Sequence, residues 1–420
     1  MSAREDPATR DVSDVRDLAG SSVLVLGAGV SGRSAARFLL AAGARVSLYD
    51  DAPREKLSPE ALALEAPGVS VLAGGPELRG RDFDLAILSP GIPFGSALVE
   101  GLTASGVEVV GEIEFASRLL SAPIVAITGT NGKTTVTRLL GRILEAQGRK
   151  TFVGGNVGTP LVEAVGSEWD VVVAEVSSFQ LESIRSFRPR VALLLNVTDD
   201  HFERHGDLAA YARAKARIFE NQAGGDAAIV NADDRTAWEA GRRARAVCLP
   251  YATERTLPVG AWAEGGDAIF LLPGRDGVRV PGRFGEMALP GRHNLGNALA
   301  ACLAAAWLGA DPRRAWEEAS RFRGLPHRIE RFLDWRGIRF YDDSKGTNVD
   351  ATRRALETVE GPVVWVAGGV DKGGDYGPLL PVLRERVRHG ILVGASARRM
   401  AQDLAGAAPI SVAADWPEAV

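Results

Sequence analysis

The sequence predicts an α/β protein of three domains, and three observations carry that prediction. Twice an apolar strand runs into a glycine loop and then into a helix, at residues 22–42 and again at residues 123–146. A third strand-and-loop pattern follows a Gly- and Pro-bearing stretch at 322–328. At 420 residues the chain is also longer than one domain usually is. The expected units are a Rossmann-like domain at 1–111, a P-loop ATPase-type α/β domain at 112–324, and a Rossmann-like C-terminal domain at 325–420. The last strand pattern gives way at Trp416-Pro417-Glu418 to the start of a helix. The third domain is therefore expected to be incomplete.

In the first domain, the strand at 22–26 meets Gly27-Ala28-Gly29-Val30-Ser31-Gly32, a helix follows to about 42, and a second strand at 46–49 ends on Asp50. Strand, Gly-x-Gly-x-x-Gly, helix, strand, acid is the dinucleotide-binding order. Alone it says little about function, because such loops bind many phosphorylated ligands. The strand at 84–88 ends in Ser89-Pro90-Gly91, a turn at the carboxyl edge of the sheet, where ligands sit in open α/β folds.

The second domain opens on Gly129-Thr130-Asn131-Gly132-Lys133-Thr134-Thr135 between a strand at 123–127 and helical periodicity at 136–146. The glycines allow a tight turn whose N–H groups can face one anion, and the helix N-terminus adds partial positive charge. Lys133 supplies a full charge, and the Thr134 hydroxyl suits a Mg²⁺ ion. This is a cradle for a nucleoside triphosphate. Only two residues separate the glycines, so the spelling differs from the common P-loop.

The loop at 154–160 is polar and expected to be exposed. A strand at 169–174 delivers Glu175, placed either to hold Mg²⁺ or to cap the following helix. The strand at 191–197 ends in Thr198-Asp199-Asp200-His201, where histidine can serve as ligand or acid–base group. Short strands are expected between 246 and 290, then an alanine-rich helix opening near His293-Asn294. In the third domain, Asp343-Ser344-Lys345-Gly346-Thr347-Asn348 follows a strand end, and the strand at 363–367 leads towards Lys372.

Composition narrows the classes. A net charge of −4 without a basic, aromatic-rich stripe gives no case for nucleic acid. Two distant cysteines, an N-terminus without an apolar run, and no stretch long enough to span a bilayer point to a cytoplasmic protein without membrane insertion. The chain holds only six lysines among its 49 basic residues. A lysine kept in so arginine-rich a sequence can supply what arginine cannot, a compact ammonium or a deprotonatable amine. Lys133, Lys215, Lys345 and Lys372 all fall in segments with the look of sites.

The glycine cradle, Gly155-Asn156-Val157-Gly158, Glu175-Val176-Ser177-Ser178-Phe179-Gln180, Asn196 to His201, Lys215, His293 to Asn297, Gly324 to Arg328 and Asp343 to Asn348 together resemble the Mur ligases. The resemblance runs from about residue 22 to the end, and the Ser-Ser-Phe-Gln spelling resembles the D-glutamate-adding branch. It implies ATP-dependent amide formation in peptidoglycan precursor synthesis. ATP phosphorylates the carboxylate of UDP-N-acetylmuramoyl-L-alanine, and D-glutamate attacks the acyl phosphate.

Carried over residue by residue, the resemblance implies ATP contacts from Gly129 to Thr135 and from Asn294, Arg328, Asp343 and Lys345. It implies two Mg²⁺ sites drawing on Thr134, Glu175, His201 and Lys215, the lysine carrying CO₂ as a carbamate. Lys133, Glu175, His201 and Lys215 would be catalytic. UDP-substrate contacts fall to Gly29, Val30, Ser31, Gly32, Asp50, Ser89, Pro90, Gly91, Asn156, Ser177 and Gln180. Thr347 and Lys372 would meet D-glutamate, and the implied state is a monomer. The competing readings are a sibling ligase for another amino acid, a ligase adding glutamate to folate, or a nucleotide-binding regulator without ligase chemistry.

Overall fold

A computed structural model describes residues 15–78, 82–200, 202–370 and 374–419. The first sheet comprises β1 (Ser22–Leu26), β2 (Arg45–Asp50), β3 (Val69–Ala73), β4 (Leu85–Leu88) and β5 (Glu108–Gly111). All pair in parallel, in the order β3-β2-β1-β4-β5. β1 and β4 are buried on both faces, as near-continuous apolar runs in parallel sheets must be. The chain moves outward from β1 to β3 and returns to β4 on the other side, so the loop after β1 lies at the switch point where ligand crevices form.

The central sheet has nine strands: β6 (Ile124–Thr128), β7 (Thr151–Gly155), β8 (Val171–Glu175), β9 (Val191–Leu194), β10 (Ala227–Asn231), β11 (Val247–Ala252), β12 (Gly260–Glu264), β13 (Asp267–Leu271) and β14 (Val278–Pro281). The order is β14-β13-β12-β11-β10-β9-β6-β8-β7, parallel from β7 to β12 and antiparallel beyond. The helices Lys133–Ala146 and Arg292–Trp307 share one apolar core on a single face, with Leu140 and Ile143 in the same cluster as Leu299 and Leu303. The opposite face belongs to a core continuous with the first sheet, running from Leu39 through Ile113 and Phe115 to Val162 and Phe187. The first two segments are thereby packed into one body.

In the third segment, β15 (Glu330–Trp335) and β16 (Ile338–Asp342) form an antiparallel hairpin. A parallel sheet follows, of β17 (Val363–Gly368), β18 (Val387–Val393) and β19 (Ile410–Val412). Its core, including Leu356, Leu383 and Leu392, is a separate cluster.

Three local expectations are corrected. The expected exposed loop at 154–160 begins with Gly154 and Gly155 buried at the end of β7, where a Cβ on Gly155 would lie 2.2 Å from the Glu175 carbonyl oxygen. Only the tip, Asn156-Val157-Gly158, is exposed. The strand expected at 191–197 stops at Leu194, because the next residues turn their polar groups onto the phosphate loop. The helix expected from 136 starts at Lys133.

Candidate active site

The loop after β6 turns on two glycines. Gly132 has φ 87° and caps the following helix, and a Cβ there would lie 2.6 Å from Asn297 Oδ1. Asn196 moors the loop: its Oδ1 accepts from Asn131 N at 2.8 Å, its Nδ2 donates to Asn131 O at 3.0 Å, and its carbonyl accepts from Thr130 N. The backbone donors of Thr130 and Asn131 are thus engaged within the protein. First-turn donors of the helix, from Lys133 to Thr135, have no intrahelical acceptors and can meet an anion.

Two lysines converge on one oxygen of this loop. Lys133 Nζ donates to Gly129 O at 2.9 Å and to Thr130 O at 3.0 Å, and Lys215 Nζ donates to Gly129 O at 2.8 Å. Lys215 is only 1% exposed, with its Nζ 4.4 Å from the Tyr211 ring centre. Burial lowers the Lys133 pKa, and it drives that of Lys215 far down, with the neighbouring Lys133 charge adding to the effect. Glu175, at the end of β8, accepts from Asn156 Nδ2 at 3.1 Å through Oε1, while its buried Oε2 has no hydrogen-bond partner among the described residues. Thr134 Oγ1 accepts from Arg328 of the third segment at 3.0 Å. The result is a pair of lysine nitrogens, one fully buried, beside a half-satisfied carboxylate, an arrangement that is costly unless ligands complete it.

His201 lies outside the described residues. Its neighbour His205, which the sequence reading passed over, stacks on Phe179 and sits 3.0 Å from Ser178 Oγ. Only its position at i+4 from His201 could have drawn attention to it.

Asn294, Arg328, Asp343 and Lys345 line one cleft together with Asn131, Gly132 and Thr135. His293, Asn297 and Arg354 line it as well, and sequence reasoning assigned them no role. Burial and Arg354 push the His293 pKa down to about 4, so its ring is neutral at physiological pH. Burial pushes the Asp343 carboxyl up to about 6, although it accepts from Ile329 N. His327 and Ile329 carry φ of 63° and 49°, left-handed backbone on either side of Arg328 that turns it towards Thr134.

The first loop is built by the same glycine logic and a different charge. A Cβ on Gly32 would lie 1.8 Å from Gly27 O. Asp50 accepts from Ala28 N at 2.8 Å and Ala52 N at 2.9 Å, so its carboxylate shapes the loop from within. Gly29, Val30 and Gly91 are exposed at the rim, with Ser31, Ser89 and Pro90 partly buried behind them. Ser177 and Gln180 cap each other in a reciprocal box, leaving the buried Gln180 Nε2 unpaired. Thr347 is exposed just before the helix Val349–Thr358, and Lys372 lies outside the described residues.

A parallel sheet ending in a lysine-bearing glycine loop, with an acid on the next strand and a cleft shared with a further segment, defines a phosphate-binding α/β protein of several domains. Sequence comparison makes this specific. The Mur ligase MurD-like N-terminal domain matches residues 21–111, the Mur ligase middle domain residues 127–305, and the Mur ligase glutamate ligase domain residues 327–420. The chain belongs to the Mur ligase family. It is 44% identical to a UDP-N-acetylmuramoylalanine--D-glutamate ligase of Syntrophotalea carbinolica, covering 91% of this chain and 85% of that protein. It is 42% identical to the ligase of the same name from Geobacter metallireducens, covering 96% and 89%. Among solved structures, a pseudomurein peptide ligase type C from Methanothermus fervidus shares the fold at TM-score 0.59 and 20% identity, over 94% of this chain and 89% of that one. The UDP-N-acetylmuramate-alanine ligase MurC of Thermotoga maritima does so at TM-score 0.56 and 20% identity, over 94% and 91%.

Proposed function

We propose that this chain is an ATP-dependent ligase that joins D-glutamate to UDP-N-acetylmuramoyl-L-alanine in peptidoglycan precursor synthesis. One observation carries the reading: Lys133, Lys215 and the half-satisfied Glu175 gather at the loop that opens the helix Lys133–Ala146. A substrate carboxylate oxygen attacks the γ-phosphorus of ATP, the bond to the β,γ-bridging oxygen breaks, and ADP leaves. The D-glutamate amine then attacks the acyl carbon, gives up a proton, and expels phosphate. The first step brings two anions together. Lys133 and the first-turn N–H groups neutralise the γ-phosphate, and Arg328 approaches from the opposite wall.

The unpaired Glu175 Oε2 and the Thr134 hydroxyl suit a hard cation, and Mg²⁺ held there, with His201 and Lys215 serving a second ion, supplies charge neutralisation when bound. The depressed pKa of Lys215 supports its reaction with CO₂, since only the neutral amine forms a carbamate. The amine nitrogen bonds to the CO₂ carbon and releases one proton, and the product keeps an N–H for Gly129 O while carrying a negative charge. Asn294, Asp343 and Lys345 complete the ATP cleft, and Thr347 and Lys372 meet D-glutamate. The first loop and its rim, from Gly29 to Gly32 with Ser89, Pro90 and Gly91, receive the UDP end, and Asn156, Ser177 and Gln180 face the rest of that substrate. Domain limits at 111 and 324 follow this division of labour. Among the described residues no helix is long and apolar enough to cross a membrane. The family resemblance supports a monomeric cytoplasmic enzyme acting on small molecules.

Phosphate release from ATP, Mg²⁺, UDP-N-acetylmuramoyl-L-alanine and a panel of amino acids tests the reading. Release only with D-glutamate is expected. Release driven better by another amino acid would reassign the substrate.

A further inference from the structure

The third segment holds the phosphate loop through a residue to which the reaction above gives no part. Asp350 lies in the first turn of the helix Val349–Thr358, whose N-terminus Asn348 caps by accepting from Ala351 N at 2.8 Å. Asp350 Oδ2 accepts from Asn131 Nδ2 at 3.0 Å, across the cleft. Its Oδ1 accepts from Arg353 at 2.8 Å, and Arg354 Nε lies 2.8 Å from Oδ2. Asn348 Nδ2 adds bonds to Asn131 Oδ1 at 3.1 Å and Asp200 Oδ2 at 3.3 Å. Asn131 is therefore fixed by Asn196 through its backbone and by the third segment through its side chain.

The energetic setting gives these contacts weight. The third segment's main apolar cluster is separate from the cores of the other segments, whereas the first segment shares a core with the central one. Polar contacts therefore carry much of the third segment's placement. The Asp350 side chain is 14% exposed and ionic, so its bond to Asn131 is charge-assisted and largely screened from water.

We propose that Asp350 is a positioning residue for the nucleotide. By gripping Asn131 it draws Arg328 and Lys345 up to phosphates cradled on the Lys133 loop, and so couples ATP binding to closure of the third segment. This rests on the ligase reading above.

The test compares Asp350→Ala and Asp350→Asn with the wild type. It measures KM for ATP, KM for the UDP substrate and Tm, together with the distance between spectroscopic labels on the helices Leu380–Arg386 and Lys133–Ala146. Asp350→Ala should raise KM for ATP about tenfold, equivalent to about 1.4 kcal/mol. The UDP-substrate KM should stay within about twofold, and the mean label distance should lengthen. Asp350→Asn keeps an oxygen for Asn131 and should raise KM for ATP less than about threefold.

An unchanged ATP KM in Asp350→Ala overturns the proposal. So does an equal rise for every substrate together with a fallen Tm, since that marks a purely structural role. Equal losses in both variants would assign the effect to the arginines and also overturn it. Absence of turnover in the wild type would defeat the ligase reading alone. In that case a mean label distance that does not lengthen in Asp350→Ala overturns the positioning role of Asp350, and one that lengthens supports it.

Discussion

Two glycine loops in this molecule share a backbone plan and differ in charge. Each follows a buried parallel strand, opens a helix, and contains a glycine whose Cβ would strike a neighbouring oxygen, Gly27 O for Gly32 and Asn297 Oδ1 for Gly132. The first loop is closed by a carboxylate, Asp50, which accepts from backbone N–H groups at both of its oxygens. The second is closed by two lysine side-chain nitrogens donating to one carbonyl, beside a carboxylate oxygen that has no hydrogen-bond partner among the described residues. A self-satisfied loop can hold a ligand but has no reserve of charge for a developing transition state. The second loop has that reserve, so under the proposed function one strand–loop–helix plan serves binding in one place and phosphoryl transfer in the other.

The largest test of this contrast is Lys133→Ala. It should lower kcat about a thousandfold or more, because the γ-phosphate loses its nearest full positive charge. Steady-state phosphate release reads it, and a variant retaining a tenth of wild-type rate would place the chemistry elsewhere.

Lys215 sharpens the contrast further. Lys215→Ala should lose at least about a hundredfold in kcat, and Lys215→Arg should be no better, since arginine cannot take up CO₂. Added acetate or formate should restore part of the activity of Lys215→Ala, whereas methylamine should not. Rescue by the amine alone would make Lys215 a simple cation.

A third measurement probes the joint that fixes the two loops relative to one another. Glu112 is buried in that joint, donates nothing when ionised, and accepts from Val162 N at 2.7 Å, while its other oxygen has no partner among the described residues. Burial raises its pKa from 4.5 to about 7. The folded state therefore holds a proton that the unfolded chain has released between those values. The stabilising effect is complete below about pH 4.5 and is lost as pH rises through about 7, at a cost of about 3 kcal/mol. Denaturant titrations should show this slope in the wild type and its disappearance in Glu112→Gln, which keeps the acceptor without the charge.

The smallest effect belongs to the first loop. Asp50→Ala leaves two backbone donors without their acceptor and should raise KM for the UDP substrate about tenfold, with kcat at saturation within about twofold. A fall in kcat as large as that of Lys133→Ala would erase the distinction between the loops.

Much of this was legible in the sequence wherever chemistry is written locally. The apolar runs of β1 and β17 and the glycine spacing of both loops were read with the observed limits or nearly so. The retention of Lys215 among arginines pointed to a use that arginine cannot serve, a compact ammonium or a deprotonatable amine, and the fold buries it, which the sequence did not say. What escaped reading depends on partners distant in the chain. β3 and β5 are short edge-side strands specified by pairing to β2 and β4. The hairpin β15–β16 exposes most of its side chains, so neither an apolar run nor clean alternation announces it. Gly154 and Gly155 look like loop residues, yet they are buried: a Cβ on Gly155 would strike the Glu175 carbonyl oxygen, and one on Gly154 the Thr159 carbonyl oxygen. Asp350 reads as an ordinary acid in a helix's first turn, and only the fold reveals Asn131 opposite it.

The central claim is that the second loop activates a carboxylate by moving phosphate onto its oxygen. Labelling the carboxylate of UDP-N-acetylmuramoyl-L-alanine with ¹⁸O and analysing the released phosphate by mass spectrometry tests it directly. Transfer through an acyl phosphate moves one labelled oxygen into each phosphate formed, strictly in step with amide formation. Phosphate free of label, with both ¹⁸O atoms of the carboxylate kept in the substrate pool, would show that the loop hydrolyses ATP without activating the acid, and would contradict the assignment.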